Sequence, residues 1–236
     1  SYTGTQETTK KLSMLNATEY ALLLNESFGN SGQAIPYPIA TGLGEGTNWQ
    51  NEVFQKAPIR NIDFNISGGS EKITYSFSGS NLKQEGIVGL EKAAFDRSTA
   101  RLSLGVDLSD KFKFSTNVIY TDFNRTSLAE NGVGSVLFNT INSPSVFTPY
   151  DANGNFTQVP STPGYGIEVI NPLAQMENTY NSYNLKKLNG SVKLDYLATK
   201  GLKLTSRIGF NSSKSAGKAF YKIIDYGPSK VFNVTR

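Results

Sequence analysis

The chain has 236 residues, and its 23 Lys and Arg against 19 Asp and Glu give a formal net charge of +4. It contains neither His nor Cys, which excludes disulfides, thiolate zinc sites and catalysis by a histidine base or a cysteine nucleophile. No block of five or more Lys or Arg occurs, so the charge does not indicate nucleic-acid binding.

The first elements along the chain are a strand near 1–9 and a helix over 17–28. Asn16 and Glu19 have the spacing of a capping box, and apolar residues follow near helical spacing. The helix lies inside a long predicted connection, 11–58. We therefore expect this connection to be ordered.

Alternation of apolar and polar residues with a period of two predicts the remaining strands. They fall near 61–68, 71–80, 98–108, 111–122, 187–197 and 202–213. Successive side chains of a strand point to opposite faces, so each strand has one apolar and one polar face. The apolar face is expected to carry Leu102, Leu104, Val106 and Phe114. The polar face is expected to carry Arg101, Lys113, Lys193 and Arg207.

The connections alternate between tight turns and long loops at 11–58, 81–96 and 124–182. A transmembrane β-barrel has this arrangement, with short turns at the periplasmic end and long loops outside. A tilted strand needs about 9–11 residues to cross the hydrocarbon, and 98–108 supplies them. The sequence therefore predicts an all-β fold, a segment of about seven strands of an antiparallel transmembrane β-barrel with one short helix in a loop. The apolar face would meet lipid and the polar face would line the lumen.

A soluble all-β sheet would show the same alternation, so a glycan-binding or adhesion module stays open as an alternative. In either case the long loops are where binding residues concentrate. Trp49, Tyr150 and Tyr165 could stack on a substrate or partner, with Asp151 as an acceptor. Trp49 could instead pack beside the helix at 17–28.

Asp151 also opens a segment with a faint likeness to a calcium loop. Its Gly154 comes too early and Thr162 stands where the bidentate Glu would be, so a turn held by side-chain hydrogen bonds is the better interpretation. We expect no metal site. No convergent pair of carboxylates is apparent, and the sequence is not expected to encode an enzyme.

Four segments, in order and at similar spacing, resemble the SusC/RagA family of TonB-linked outer-membrane transporters of Gram-negative bacteria. They are Leu-Asn-Ala-Thr-Glu-Tyr-Ala at 15–21, Thr-Asn-Trp-Gln-Asn-Glu-Val-Phe at 47–54, Ile-Ser-Gly-Gly-Ser-Glu-Lys-Ile-Thr-Tyr at 66–75 and Gln-Glu-Gly-Ile-Val at 84–88. The resemblance covers residues 1–125 well, and over 125–182 only the loop character is similar.

The resemblance implies a larger barrel plugged by a preceding domain, located in the outer membrane and importing nutrients such as oligosaccharides or peptides. It implies a SusD-like surface lipoprotein as partner, TonB contacts through parts of the protein outside this sequence, and no cofactor. An open barrel segment would leave unpaired edge strands in lipid, so we expect this chain to be joined by the remainder of the same barrel.

Overall fold

A computed structural model describes residues 1–129, 132–159, 168–223 and 225–227. Within these residues seven strands form one sheet in chain order, each antiparallel to its neighbours. The strands are β1 (Tyr2–Gln6), β2 (Ala57–Gly69), β3 (Ile73–Gly86), β4 (Leu90–Asp107), β5 (Phe112–Thr126), β6 (Thr179–Thr199) and β7 (Leu202–Tyr221). The predicted all-β fold with about seven antiparallel strands is confirmed.

The predicted helix over 17–28 is present, but further short helices occur in the described connections. The described connections contain α1 (Ala17–Asn30), α2 (Trp49–Val53), α3 (Val136–Asn142) and α4 (Pro172–Asn178), with a turn of 3-10 helix at Ala40–Gly42. The capping box at the start of α1 is present, with the Glu19 amide donating to Asn16 Oδ1 at 2.8 Å and the Asn16 amide donating to Glu19 Oε2 at 3.0 Å. The other three helices have five to seven residues, too few to show a helical period in the sequence.

The prediction of a long loop at 81–96 is wrong. β3 and β4 continue through most of this range and are joined by a turn at 87–89. Hydrophobic alternation fades there while backbone pairing continues across polar side chains. Lys83 forms an ion pair with Asp96 at 3.3 Å, and Asn81 donates to the same carboxylate at 2.9 Å. The turn requires Gly89, whose φ is +78° and where a Cβ would lie 2.5 Å from Leu128 Cδ1.

Backbone pairing that continues beyond the hydrophobic alternation also makes the last two strands longer than predicted. β6 begins at Thr179, eight residues before the predicted 187, and β7 runs to Tyr221 rather than 213. The second long connection is therefore 127–178 rather than 124–182. Three connections, 7–56, 87–89 and 127–178, meet at one end of the sheet, which we call the loop end; the short turns 70–72, 108–111 and 200–201 mark the turn end.

The buried core lies among the loop-end connections, and the sheet contributes little to it. One cluster contains Val53, Leu128, Val136 and Met176, and a second contains Ile170, Ala174 and Tyr226. In the sheet, large apolar side chains remain open, with Phe64 50% and Ile208 69% exposed. Among the described residues, no helix has both the length and the apolar character needed to cross a membrane.

Candidate functional site

The loop end is built from two connections that fold against each other; we call the described parts of 7–56 and 127–178 the loop assembly. In the first connection, side-chain amides replace missing backbone partners. Gln50 receives a hydrogen bond from the Leu12 amide at 2.9 Å and donates one to the Leu12 carbonyl at 2.8 Å. Asn25 makes the same reciprocal pair with the backbone of Tyr37, at 2.6 and 2.9 Å. The predicted order of this connection therefore has a physical basis, since buried backbone groups must be paired.

Trp49 joins the two connections. Its indole Nε1 donates to the Pro144 carbonyl at 3.0 Å, and the Thr47 amide donates to the Ser145 carbonyl at 2.8 Å. The side chain is only 3% exposed. Gly46 permits this contact, because a Cβ there would lie 2.3 Å from the Ser145 carbonyl oxygen. Buried in this way, Trp49 holds the second connection against the first, and its contact with a ligand stays a prediction.

A pocket of about 300 Å³ lies along this junction. Its wall includes Asn16 and Tyr20 from the start of α1, Asn48 and Trp49 from the start of α2, and Ser143 and Ser145 after α3. The Oγ atoms of Ser143 and Ser145 are buried and make no hydrogen bond within the described structure. The pocket wall therefore combines aromatic side chains with the amide side chains of Asn16 and Asn48, which can donate to or accept from a polar ligand, while the two serine hydroxyls lie buried beside it.

Tyr150 and Asp151 form a small hairpin in the second connection. Tyr150 pairs with Phe156, with ring centroids 5.3 Å apart, and remains 49% exposed. Asp151 Oδ1 accepts hydrogen bonds from the amides of Asn153 and Asn155, both at 2.8 Å. The backbone hydrogen bond from Asn155 is the main reason that the pKa of Asp151 lies below its usual range.

The residues expected to contact a ligand differ in how much of each side chain is available. Asp151 is occupied within its own turn, as the turn interpretation predicts, whereas Tyr150 presents an open ring. Tyr165 lies outside the described residues. No group of three or more acidic side chains in the described ranges could hold a metal ion.

Two buried asparagines that sequence reasoning did not select hold the second connection together. Asn139 is fully buried; it donates to Gln175 Oε1 at 2.8 Å and accepts from the Ile170 amide at 3.2 Å. Asn171 caps α4 through the Leu173 amide and also donates to the Pro149 carbonyl at 2.8 Å. The Asn-Pro pair at 171–172 is a recognisable helix start, but nothing in the sequence marks Asn139.

Below the loop assembly, strand register sets the two faces of the sheet. Residues directly opposite each other in antiparallel strands lie on the same face. By this rule Leu102, Leu104, Val106 and Phe114 share one face, which we call the apolar face. Arg101, Lys113, Lys193 and Arg207 share the opposite, polar face. Their exposure to lipid or lumen stays a prediction.

The apolar face forms a continuous band across six strands. Its middle row contains Tyr75, Leu104, Thr116, Val192 and Ile208. On β5 the band runs from Phe112 to Tyr120, eight steps of about 3.4 Å, or about 27 Å along the strand. Tilted by about 40°, this corresponds to a height of about 21 Å, close to the ~25 Å apolar band of an outer-membrane barrel.

The polar face has a different chemistry at the same height. Lys113 forms an ion pair with Asp107 at 2.7 Å, and Lys193 with Asp195 at 2.6 Å. Asn117 donates to Ser103 Oγ at 2.8 Å. Small polar residues and paired charges of this kind suit a hydrated surface, because unsolvated charges are costly unless paired.

Comparison with known proteins agrees with this geometry. No family model matches the chain. The chain is 31% identical over 200 residues to the TonB-dependent receptor P26 of Formosa agariphila, a match covering 83% of this chain and 19% of the relative. It is 26% identical over 215 residues to the TonB-dependent receptor SusC of Bacteroides thetaiotaomicron, covering 83% of this chain and 20% of SusC. The chain thus spans about a fifth of the length of these relatives, which are named as receptors and not as enzymes.

Solved structures show the same fold. The chain superposes on the RagAB peptide importer in its closed-closed state with a TM-score of 0.74 at 20% identity, over 96% of this chain and 29% of that one. For the open-open state the TM-score is 0.64 at 23% identity, over 78% and 20%. The fold class predicted from the sequence is confirmed. The chain belongs to the SusC/RagA family of TonB-dependent receptors and has the fold of a segment of their β-barrel.

Proposed function

We propose that this chain forms part of the wall and outer loops of an outer-membrane importer that takes up nutrients, oligosaccharides or peptides, with energy supplied through TonB. The continuous apolar band on one face of the sheet carries the proposal. A soluble protein rarely leaves so large a contiguous apolar face uncovered, so the band favours a lipid-facing wall over a soluble glycan-binding or adhesion module. The names of the relatives, TonB-dependent receptors and a peptide importer, support the same assignment.

In this proposal the apolar face meets lipid and the polar face lines the lumen. Further strands complete the barrel, since an open sheet edge has no partner in lipid. Contacts with TonB would be made by parts of the protein outside this chain. Arg101, Lys113, Lys193 and Arg207 would give the lumen wall a positive, hydrated character.

The loop assembly is the proposed contact surface for substrate and for a SusD-like surface lipoprotein. It lies at the end of the sheet opposite the short turns, which is the extracellular end in an outer-membrane barrel. The exposed ring of Tyr150 and the pocket lined by the side chains of Asn16 and Asn48 are best placed to touch a ligand. Trp49 and Asn139 would act as positioning residues beneath this surface.

Paired cysteine labelling in the complete transporter tests the orientation of the wall. Leu104→Cys and Ser103→Cys are adjacent in β4 and lie on opposite faces. A lipid-phase reagent should modify only the first and an aqueous reagent only the second. The reverse labelling pattern would reject the proposed orientation.

Uptake and pull-down measurements test the loop surface. We expect Tyr150→Ala to lower either substrate uptake or recovery of the lipoprotein, with surface expression unchanged. Phe156→Ala removes the neighbouring ring of the same hairpin and serves as the control for local structure. Parental uptake and recovery in Tyr150→Ala would remove Tyr150 from the contact surface.

A further inference from the structure

The apolar band ends abruptly at the loop end of β7. On the apolar face of this strand, Leu204, Ile208 and Phe210 are followed by Lys214 and Lys218. Lys214 lies directly opposite Lys186 on β6. The two lysines sit one row beyond the row of Tyr120, Leu188 and Ser212, which closes the band.

Charge is unbalanced at this row. Lys186 contacts Asp122 at 3.6 Å, so the row of Asp122, Lys186 and Lys214 holds two cations and one anion. The row above contains Asn124, Asn184 and Ala216, and its carboxylate, Asp96 on β4, is already paired with Lys83 at 3.3 Å. Like charges directly opposite in an antiparallel pair are destabilising. An anion between the two ammonium groups would turn this repulsion into attraction.

Within the described strand ladders, no two lysines lie opposite each other at the turn end of the same face. There the band closes with aromatic residues, and Phe112 stacks on Tyr196 with centroids 4.5 Å apart. Lys113 and Lys203 at that end lie on the polar face, as the register shows. The lysine pair is therefore specific to the outer boundary of the band.

The height of the pair indicates the kind of anion. In a bilayer the polar head groups lie directly outside the hydrocarbon, and the pair lies directly outside the apolar band. Lysine binds phosphate as a point charge and needs no fixed orientation of the ligand. Lys218, two rows farther out, adds positive charge on the same side. Lys222 contributes less, because its ammonium contacts Glu177 Oε1 at 3.2 Å.

From these observations we propose that Lys186 and Lys214 form a binding site for the phosphate of an outer-leaflet lipid head group. The inference rests on the proposed function, since it needs the apolar face to meet lipid. It adds to that function a fixed contact between the barrel wall and the surrounding membrane.

Lipid retention by the complete transporter tests the site. The purified protein in nanodiscs of phosphatidylcholine containing lipid A is compared by native mass spectrometry with the double variant Lys186→Gln, Lys214→Gln. We expect the variant to retain several-fold less lipid A. The wild-type protein should retain dephosphorylated lipid A as poorly as the variant does, and retention should fall as salt screens the lysines.

The matched control is Lys187→Gln with Lys203→Gln, which removes the same charge from the polar face of the same two strands. Equal retention by both double variants and the parent overturns the proposal, as does equal loss in both. Displacement of lipid A by dilute inorganic phosphate would assign the pair to a free anion and overturn the lipid assignment. The cysteine labelling of Leu104 and Ser103 is read separately, so a failed lipid site is distinguished from a failed wall orientation.

Discussion

The sheet and the loop assembly are stabilised in different ways. In the sheet, neighbouring strands are paired through their backbones while the apolar side chains of one face remain exposed. In the loop assembly, short helices are held by buried apolar clusters and by side-chain amides that bond distant backbone groups. In the proposed function the sheet therefore depends on surrounding lipid and further strands, whereas the loop assembly has buried apolar clusters of its own. Substitutions in the two regions should fail in correspondingly different ways.

The largest expected effect is on the apolar face. Leu104 lies in the middle row of the band, so Leu104→Arg would place a charge near the bilayer midplane and cost about 2–4 kcal/mol. Chemical unfolding of the complete transporter in lipid vesicles measures this loss. Ser103→Arg, one residue away on the polar face, should cost much less. Equal losses from the two arginines would contradict the distinction between the faces.

The second-largest expected effect is a loss of stability in the loop assembly. This loss should not depend on lipid. Asn139→Leu keeps the volume similar but leaves Gln175 and the Ile170 amide without their partner, at a cost of about 1–3 kcal/mol. Faster amide hydrogen exchange over 168–178 measures it. Asn142→Ala is the control, because Asn142 is exposed and bonds only within α3, to the Phe138 carbonyl. Exchange that is unchanged in Asn139→Leu would show that the amide network does not hold this connection.

A smaller effect tests the role of Trp49. Trp49→Phe keeps an aromatic ring but removes the donor to the Pro144 carbonyl, which should cost about 0.5–1.5 kcal/mol. We expect faster hydrogen exchange at the Thr47 amide, which bonds the same segment, and little change in substrate uptake. A loss of uptake with unchanged exchange would instead assign Trp49 to ligand contact.

The sequence predicts the sheet better than it predicts the loop assembly. The strands of the band are predictable because alternation reports directly on two unlike environments, as at Leu102 and Arg101. The prediction fails where the environments become alike, so the polar outer parts of β3, β4, β6 and β7 have the pattern of a loop. It fails again in the loop assembly, where Asn139 and Trp49 act through partners 31 and 95 residues away. There the sequence carries only local signals, namely the capping box at Asn16, the turn at Asp151 and the Asn-Pro helix start at 171–172.

The smallest expected effect concerns the pH dependence of the hairpin at 150–156. Hydrogen bonds from Asn155 and Asn153 favour the ionised carboxylate of Asp151, so its pKa is lower in the folded hairpin than in the unfolded chain. The stabilisation by this carboxylate is therefore complete above the ordinary Asp pKa and is lost as the pH falls through the lowered value. Amide chemical shifts of Asn153 and Asn155 in an acid titration should follow this loss, with a midpoint below the ordinary Asp range. Asp151→Asn keeps an oxygen acceptor but cannot ionise, so the same amides should lose their titration. A midpoint at or above the ordinary Asp range would show that these hydrogen bonds do not favour the carboxylate, and would leave Asp151 free to contact a ligand.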